Sequence, residues 1–245
     1  MNNKTNLKVI NRDMLKYIAA IAMFIGHFLL YTAKEIHYFN LPPSLVKVFI
    51  YLQFIAPPIF FFFIAEGCKY TRSKKNYALR LMVITIITQF PFVLYNNMKF
   101  DIHLFFTRWN VMLSLFLGLI TLIISECKLP VPVRLLLIAS CMYISYLLKA
   151  EWYIFGLLII LAFHLLRERP YLRLAVYEII AFIYCSIGVT GTSTTLFIWL
   201  SLPIIIITFF YNGQKGRFPK FSNYFFYVFY PAHLLLIFFV KLIAG

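Results

Sequence analysis

The sequence predicts an all-α integral membrane protein, a polytopic bundle of about nine transmembrane helices with its N-terminus in the cytoplasm. Three observations support this prediction. Hydrophobic residues make up 62% of the 245 residues and charged residues only 13%, whereas soluble domains average roughly 45–50% apolar residues. Apolar stretches of membrane-spanning length recur along the whole chain. The loops between them alternate between rich and poor in Lys and Arg.

A helix needs about 20 mostly apolar residues to cross the hydrocarbon core. Nine stretches reach or approach this length: 14–33, 46–66, 77–97, 109–125, 131–148, 152–166, 171–188, 194–211 and 222–243. The first is expected to remain as a signal-anchor helix, because it is longer than the apolar core of a cleavable signal. The fifth and sixth are short enough to form one re-entrant hairpin, which leaves eight or seven spans open. No linker divides the chain, so a single domain is expected over 1–245.

The charge balance is strongly basic, with 23 Lys and Arg against 8 Asp and Glu. In a soluble protein this excess would suggest nucleic acid as a partner. In a membrane protein it has a simpler origin, since Lys and Arg collect in cytoplasmic loops. With the N-terminus inside, the inner segments hold 16 of these cations and the outer segments six. The sequence therefore predicts the lipid bilayer as the partner of this chain, and no nucleic acid.

Motifs for metal and phosphate-loop chemistry are missing from the sequence. Its four cysteines form no CxxC pair, and its five histidines show no HExxH spacing. Neither a P-loop nor a G-x-S-x-G elbow is present. We therefore expect reduced cysteines and no metal cofactor.

Titratable side chains inside predicted spans are functional candidates, because burying them in lipid is costly. Six qualify: His27, Glu66, Arg80, His164, Glu178 and His233. Glu66, Arg80 and His164 lie near the predicted inner ends of their spans, where their polar groups can reach the membrane–water interface. Glu178 can pair with a neighbouring helix. His27 and His233 lie deeper and at similar depth, so they can meet. From position alone, a purely structural role explains the two histidines as well as a chemical one.

Lys16 strengthens the chemical interpretation of His27. It lies eleven residues earlier, on nearly the same helix face and roughly 16 Å away along the axis. A second basic cluster lies in "CKYTRSKKNYALRL" (68–81), where Arg80 is inside the predicted third span. Because Arg binds phosphate bidentately, this pattern suits a long anionic ligand that enters from the cytoplasm and reaches His27.

Five blocks of the sequence resemble the TraX family of polytopic bacterial membrane acetyltransferases. They are "LKYIAAIAMFIGHFLLY" (15–31), "FFIAEGCKYTRSKKNYALRLMVITIITQFPF" (62–92), "NVMLSLFLGLI" (110–120), "EWYIFGLLIILAFHLLRERP" (151–170) and "YFFYVFYPAHLLLI" (224–237). The family is similar to a wider group of transmembrane acyltransferases, in which a basic residue precedes the first-helix histidine by eleven positions. Lys16 and His27 match that spacing.

The resemblance implies an acetyl-CoA-dependent acetyltransferase of the bacterial cytoplasmic membrane, with His27 as the catalytic residue. It also implies that Arg80 binds the acyl donor, and Arg72 is a weaker candidate for the same role. The sequence departs from the family at two positions. Gly26 stands where relatives often carry Asp before the histidine, and Glu151 stands where they often carry Asp.

These features combine into one predicted mechanism. The phosphates of acetyl-CoA would lie among Lys16, Arg72, Lys75 and Arg80, with the thioester near His27. His27 would act as general base toward an amine or hydroxyl acceptor, a peptide N-terminus or a glycan, or would carry the acetyl group covalently. Secondary or acceptor-binding roles are assigned to His233, Tyr230, Asn110 and Glu151.

Two other functions fit part of the pattern. A proton-coupled transporter or flippase of an anionic solute would use the buried histidines as a proton relay. A membrane scaffold without catalytic activity would leave both histidines structural.

Overall fold

The computed structural model describes residues 8–32, 42–187, 194–217 and 219–244. The helices are α1 (Arg12–Thr32), α2 (Pro43–Tyr51), α3 (Ala56–Tyr70), α4 (Lys74–Asn97), α5 (Ile102–Thr107), α6 (Val111–Glu126), α7 (Val131–Leu147), α8 (Tyr153–Leu165), α9 (Pro170–Ser186), α10 (Thr194–Ile205) and α11 (Pro219–Ala244). Lys4 and Lys34, two of the cations counted above, lie outside the described residues, as do 33 and 188, where two predicted stretches end.

Each of the nine predicted stretches overlaps helix within the described part of the chain. A one-turn 3₁₀ segment, Leu52–Ile55, joins α2 to α3 inside the second stretch, and a π-helical turn, Ile206–Phe210, extends α10. The fifth and sixth stretches form separate helices, α7 and α8. The chain is thus an all-helical bundle, as predicted.

Among the residues that the structure describes, five helical stretches are long and apolar enough to cross a membrane: Arg12–Leu30, Ser44–Tyr70, Lys74–Asn97, Ile102–Glu126 and Tyr224–Ile243. Helices α7 and α8 and the stretch Thr194–Phe210 are apolar but shorter. The chain is therefore a multi-pass membrane protein, and the count of nine spans stays a prediction.

One end of the bundle, the basic end, gathers the start of α1, the α3–α4, α6–α7 and α8–α9 turns, and the segment after α10. Lys74 at the start of α4 forms an ion pair with Glu126 at the end of α6. The amide of Ile10 donates to the carbonyl of Phe210 over 3.0 Å, which ties the N-terminal segment to the end of the π turn. The loops predicted to be cation-rich thus meet at one end.

The opposite end holds the α4–α6 connection and the α7–α8 turn. There the amide of Glu151 donates to the carbonyl of Trp109 over 3.1 Å. Gln89 of α4 donates to the carbonyls of Phe105 and Arg108 over 2.9 and 2.7 Å. Successive segments therefore alternate in direction, as the loop charges predicted.

The position of α1 depends on close backbone packing at Gly26. A Cβ at this position would lie 2.6 Å from the Cβ of Gln53 and 2.8 Å from its backbone nitrogen, in the 3₁₀ turn. Backbone cannot yield as a flexible side chain can, so only glycine fits without a shift. This packing sets the height of the next residue, His27.

Candidate functional site

The two deep histidines are in direct contact. His27 Nδ1 lies 3.1 Å from His233 Nε2, which joins α1 to α11 by a side-chain hydrogen bond. The rings are nearly parallel, 7° apart, with centroids separated by 5.3 Å. The similar depth inferred from the sequence is thus confirmed as a contact across 206 residues of chain.

The hydrogen bonds around this pair fix its protons. His233 Nδ1 lies 3.1 Å from the carbonyl of Phe229, one turn earlier on α11. A carbonyl only accepts, so Nδ1 of a neutral His233 carries its proton and Nε2 accepts. His27 must then donate from Nδ1. Its own Nε2 is left with the lone pair that a general base needs.

Aromatic rings enclose the pair. Phe229 stacks on His233 with centroids 5.0 Å apart, and Tyr230 meets the same ring edge-on at 5.2 Å. Tyr95 of α4 packs on His27 at 5.6 Å. His233 and Tyr230 are buried, whereas His27 keeps part of its surface exposed. Of the two histidines, His27 is therefore the one that a substrate can reach.

A cavity of about 650 Å³ leads toward this pair between α1, α3, α4, α6 and α11. Arg12, Tyr70 and Arg80 line it at the basic end, and Met23 and Tyr230 line its deep part. His27 itself lies beyond the lining, one helical turn after Met23 on the same face. A long ligand in this cavity would point its inner end at the histidines.

Two of the four predicted donor-binding residues line the cavity. The ammonium of Lys16 lies 5.3 Å from the ring of Phe63 and 5.4 Å from that of Phe226. The guanidinium of Arg80 lies over Tyr77. Such aromatic faces hold a cation without neutralising it.

Arg72 and Lys75, the other two predicted donor-binding residues, are exposed at the start of α4 and do not line the cavity. The structure therefore does not bring them together with Lys16 and Arg80.

Asn110, predicted to be acceptor-binding or secondary, is fully buried and caps α6. Its Oδ1 accepts from the amide of Met112 over 2.9 Å. Its Nδ2 donates to Gln89 Oε1 over 2.8 Å and to the Thr85 carbonyl over 3.3 Å. With both N–H donors engaged, these contacts are those of a structural cap that fixes the α6 N-terminus beside the cavity.

Glu151 lies in the tight α7–α8 turn, where Lys149 and Trp152 adopt left-handed backbone conformations. Ser114 of α6 donates its hydroxyl to the Glu151 carbonyl and fastens this turn. The backbone of Val111 lies near both the Glu151 carboxylate and the Tyr230 hydroxyl. Desolvation raises the pKa of Glu151 to about 7. Glu151 and Tyr230 thus lie close together beside Val111, and Val111 and Tyr230 line the cavity.

Sequence reasoning missed the role of Glu66. It interpreted this residue as an acid reaching the interface, whereas Glu66 lines the cavity and accepts from the Tyr211 hydroxyl over 2.8 Å. Tyr211 follows the π turn, which the apolar pattern does not reveal. The expected pairing of Glu178 across helices is confirmed, because the Ser201 hydroxyl donates to it over 2.7 Å.

Comparison with known proteins gives one curated relative and one family. A probable fimbrial assembly protein FimC, serogroup H1, from Dichelobacter nodosus is 26% identical over 243 residues, which cover 91% of this chain and 92% of the relative. No solved structure matches the chain. The TraX protein family model matches residues 11–241, a range that holds the cavity and both histidines. The chain therefore belongs to the TraX family.

Proposed function

We propose that this protein is a membrane-embedded acetyltransferase of the bacterial cytoplasmic membrane. It moves an acetyl group from cytoplasmic acetyl-CoA to an amine or hydroxyl acceptor, with His27 as general base. The observation that carries the proposal is the hydrogen-bond chain from the Phe229 carbonyl through His233 to His27. This series of hydrogen bonds leaves Nε2 of His27 unprotonated and basic, one helical turn beyond the cavity.

The cavity suits the acyl donor. Acetyl-CoA has an anionic nucleotide and a long, uncharged pantetheine arm that ends in the thioester. Arg12, Lys16 and Arg80 offer cations to the nucleotide, and aromatic and aliphatic side chains line the remainder for the arm. From Lys16 to His27 the helix rises roughly 16 Å, a distance that the arm spans.

The reaction follows from the protonation states. His27 Nε2 takes the proton from the acceptor N–H or O–H as that atom attacks the thioester carbonyl. The tetrahedral intermediate collapses, the C–S bond breaks, and the thiolate takes the proton back from His27 to leave as CoA. During the step His233 Nε2 holds the Nδ1 proton of His27 and keeps the ring oriented.

Glu151 and Tyr230 are the proposed acceptor contacts. The Glu151 carboxylate can accept a hydrogen bond from the neutral acceptor amine, and the Tyr230 hydroxyl can donate to the oxyanion of the intermediate. The FimC relative is named for fimbrial assembly, so the N-terminal amine of a pilin-type peptide is the first acceptor to test, before glycan hydroxyls.

Release of CoA from radiolabelled acetyl-CoA by purified protein in nanodiscs, with an acceptor peptide, tests this function. His27→Gln should lose about 10²- to 10⁴-fold of the transfer rate, because general-base catalysis contributes that much. His103→Gln is the matched control, since His103 is exposed and lies on α5. Transfer that survives in His27→Gln would refute the assignment.

The same purified protein, reconstituted into liposomes, distinguishes an enzyme from a transporter. Proteoliposomes loaded with buffer should show no accumulation of intact acetyl-CoA while transfer proceeds. Accumulation without CoA release would favour the rival function.

A further inference from the structure

A second, smaller cavity of about 230 Å³ lies beside the main one at the basic end. The two share Glu66 and Tyr70 as lining residues. The second cavity is walled by α3, α8, α9 and the α8–α9 turn. Its charged lining consists of Glu66, Lys69, His164, Arg167, Glu168 and Arg173.

Arg173 is the cation in this cavity for which the described part of the chain shows no hydrogen bond and no ion pair. It is only 7% exposed, its Nε has no hydrogen-bond partner, and its guanidinium lies 5.2 Å over the ring of Phe62. No ion pair within 4 Å involves it in the described part of the chain. Glu66 attracts this guanidinium electrostatically without forming an ion pair within 4 Å. Its buried Nε therefore still lacks an acceptor, which is costly, and the site can take an acceptor from a ligand.

The other charged side chains that line this cavity have partners. Lys69 and Arg167 lie 3.5 and 3.4 Å from Glu168, which is exposed. Glu66 is held by the Tyr211 hydroxyl on the wall shared with the main cavity. With three cations against two carboxylates in the lining, the site favours an anion.

The shape selects the kind of anion. A volume of about 230 Å³ accommodates a phosphate-sized group and not a whole nucleotide. The planar guanidinium fork matches phosphate oxygens in pairs. Coenzyme A carries its pyrophosphate in line with the pantetheine arm, whereas its 3′-phosphate is a monoester that branches from the ribose. A branch of this kind needs a pocket beside the channel that holds the arm.

We propose that Arg173 and its cavity form a phosphomonoester site that takes the 3′-phosphate of coenzyme A. This assignment rests on the proposed use of acetyl-CoA, and it explains why the buried Arg173 Nε has no hydrogen-bond acceptor in the described part of the chain. It makes Arg173 a determinant of donor specificity, although the same residue is one of the inner-loop cations that predict the orientation of the chain.

Binding of CoA and 3′-dephospho-CoA to detergent-purified protein tests the site. The native protein should bind CoA at least about tenfold more tightly, since a buried charge-assisted phosphate contact gives this much discrimination. In Arg173→Gln the preference should fall to near unity, with the affinity for 3′-dephospho-CoA unchanged. Arg169→Gln, exposed in the same turn, should keep the preference.

Inorganic phosphate provides a second readout that also reports folding. It should raise the unfolding temperature of the native protein and of Arg169→Gln by more than that of Arg173→Gln, which keeps only the cations of the main cavity. Equal binding of the two coenzymes by native protein, or a preference that survives Arg173→Gln, overturns the proposal. If phosphate stabilises the protein through Arg173 but neither coenzyme binds, both the 3′-phosphate assignment and the use of acetyl-CoA are refuted. If the protein transfers acetyl from acetyl-CoA but binds CoA and 3′-dephospho-CoA equally, only the 3′-phosphate assignment is refuted.

Discussion

At the scale of single residues, His27 takes its hydrogen-bond partner from a distant helix and not from its neighbour in sequence, Gly26. Gly26 stands at that position because a Cβ there would collide with the backbone of the 3₁₀ turn. His233 contacts the His27 ring from α11, and its own tautomer is set by the Phe229 carbonyl. The sequence predicted that the two histidines share a depth, but not that one holds the proton of the other. That relation depends on the rotation of two helices far apart in the chain, which periodicity does not encode.

Replacing His233 tests this positioning role. His233→Ala leaves the Nδ1 proton of His27 without its acceptor, so we expect kcat to fall roughly 10- to 100-fold through loss of the correct tautomer. The KM for acetyl-CoA should stay unchanged, because His233 does not line the cavity. Steady-state kinetics with both substrates measure the two quantities.

His233→Gln separates positioning from simple packing. Its side-chain carbonyl can accept the same proton, so this variant should recover part of the lost kcat. Equal activity of the Ala and Gln variants, with matching unfolding temperatures, would show that His233 only fills space.

At the scale of helices, apolar length alone predicted where helices lie but not how they are interrupted. The 3₁₀ turn at Leu52–Ile55 and the π turn at Ile206–Phe210 both lie inside apolar runs. Membrane helices are apolar on all sides, so a local change of winding leaves no trace in the pattern. Yet these two turns place Gln53 against Gly26 and Tyr211 against Glu66. The parts of the site that depend on them could therefore be found only from the structure.

Gly26→Ala tests the close approach of α1 to the 3₁₀ turn. The added methyl would lie 2.6 Å from the Cβ of Gln53 and 2.8 Å from its backbone nitrogen, and overpacking of this kind costs about 1–3 kcal/mol. We expect a lower unfolding temperature in detergent and reduced transfer, because α1 and His27 must shift together. Gly26→Asp, which places a larger and charged side chain in the same space, should lower both quantities further.

Ile21→Ala on the same helix is the control, since Ile21 is 59% exposed and should tolerate truncation. A Gly26→Ala protein that melts like the native one would show that the turn yields without cost.

At the scale of the whole molecule, the excess of cations has two uses. The loops rich in Lys and Arg meet at one end of the bundle, as the positive-inside pattern predicted. At the same end, some of these cations line two adjacent cavities. Arg12, Lys16 and Arg80 line one, and Arg173 lines the other. Counting charges by loop identifies the end but not the inward-facing members. Which cation turns inward depends on the packing of α3 against α1, α8 and α11.

The orientation of the basic end can be tested with a native reporter. Cys127 is exposed in the α6–α7 turn at that end, whereas Cys68, Cys141 and Cys185 are buried. If the basic end faces the cytoplasm, a membrane-impermeant maleimide should label Cys127 in inside-out vesicles and not in spheroplasts. The reverse holds for Lys149→Cys in a Cys127→Ser background, because Lys149 lies in the α7–α8 turn at the opposite end. Labelling of Cys127 from outside would place the cavity mouths away from cytoplasmic acetyl-CoA and would rule out the proposed donor.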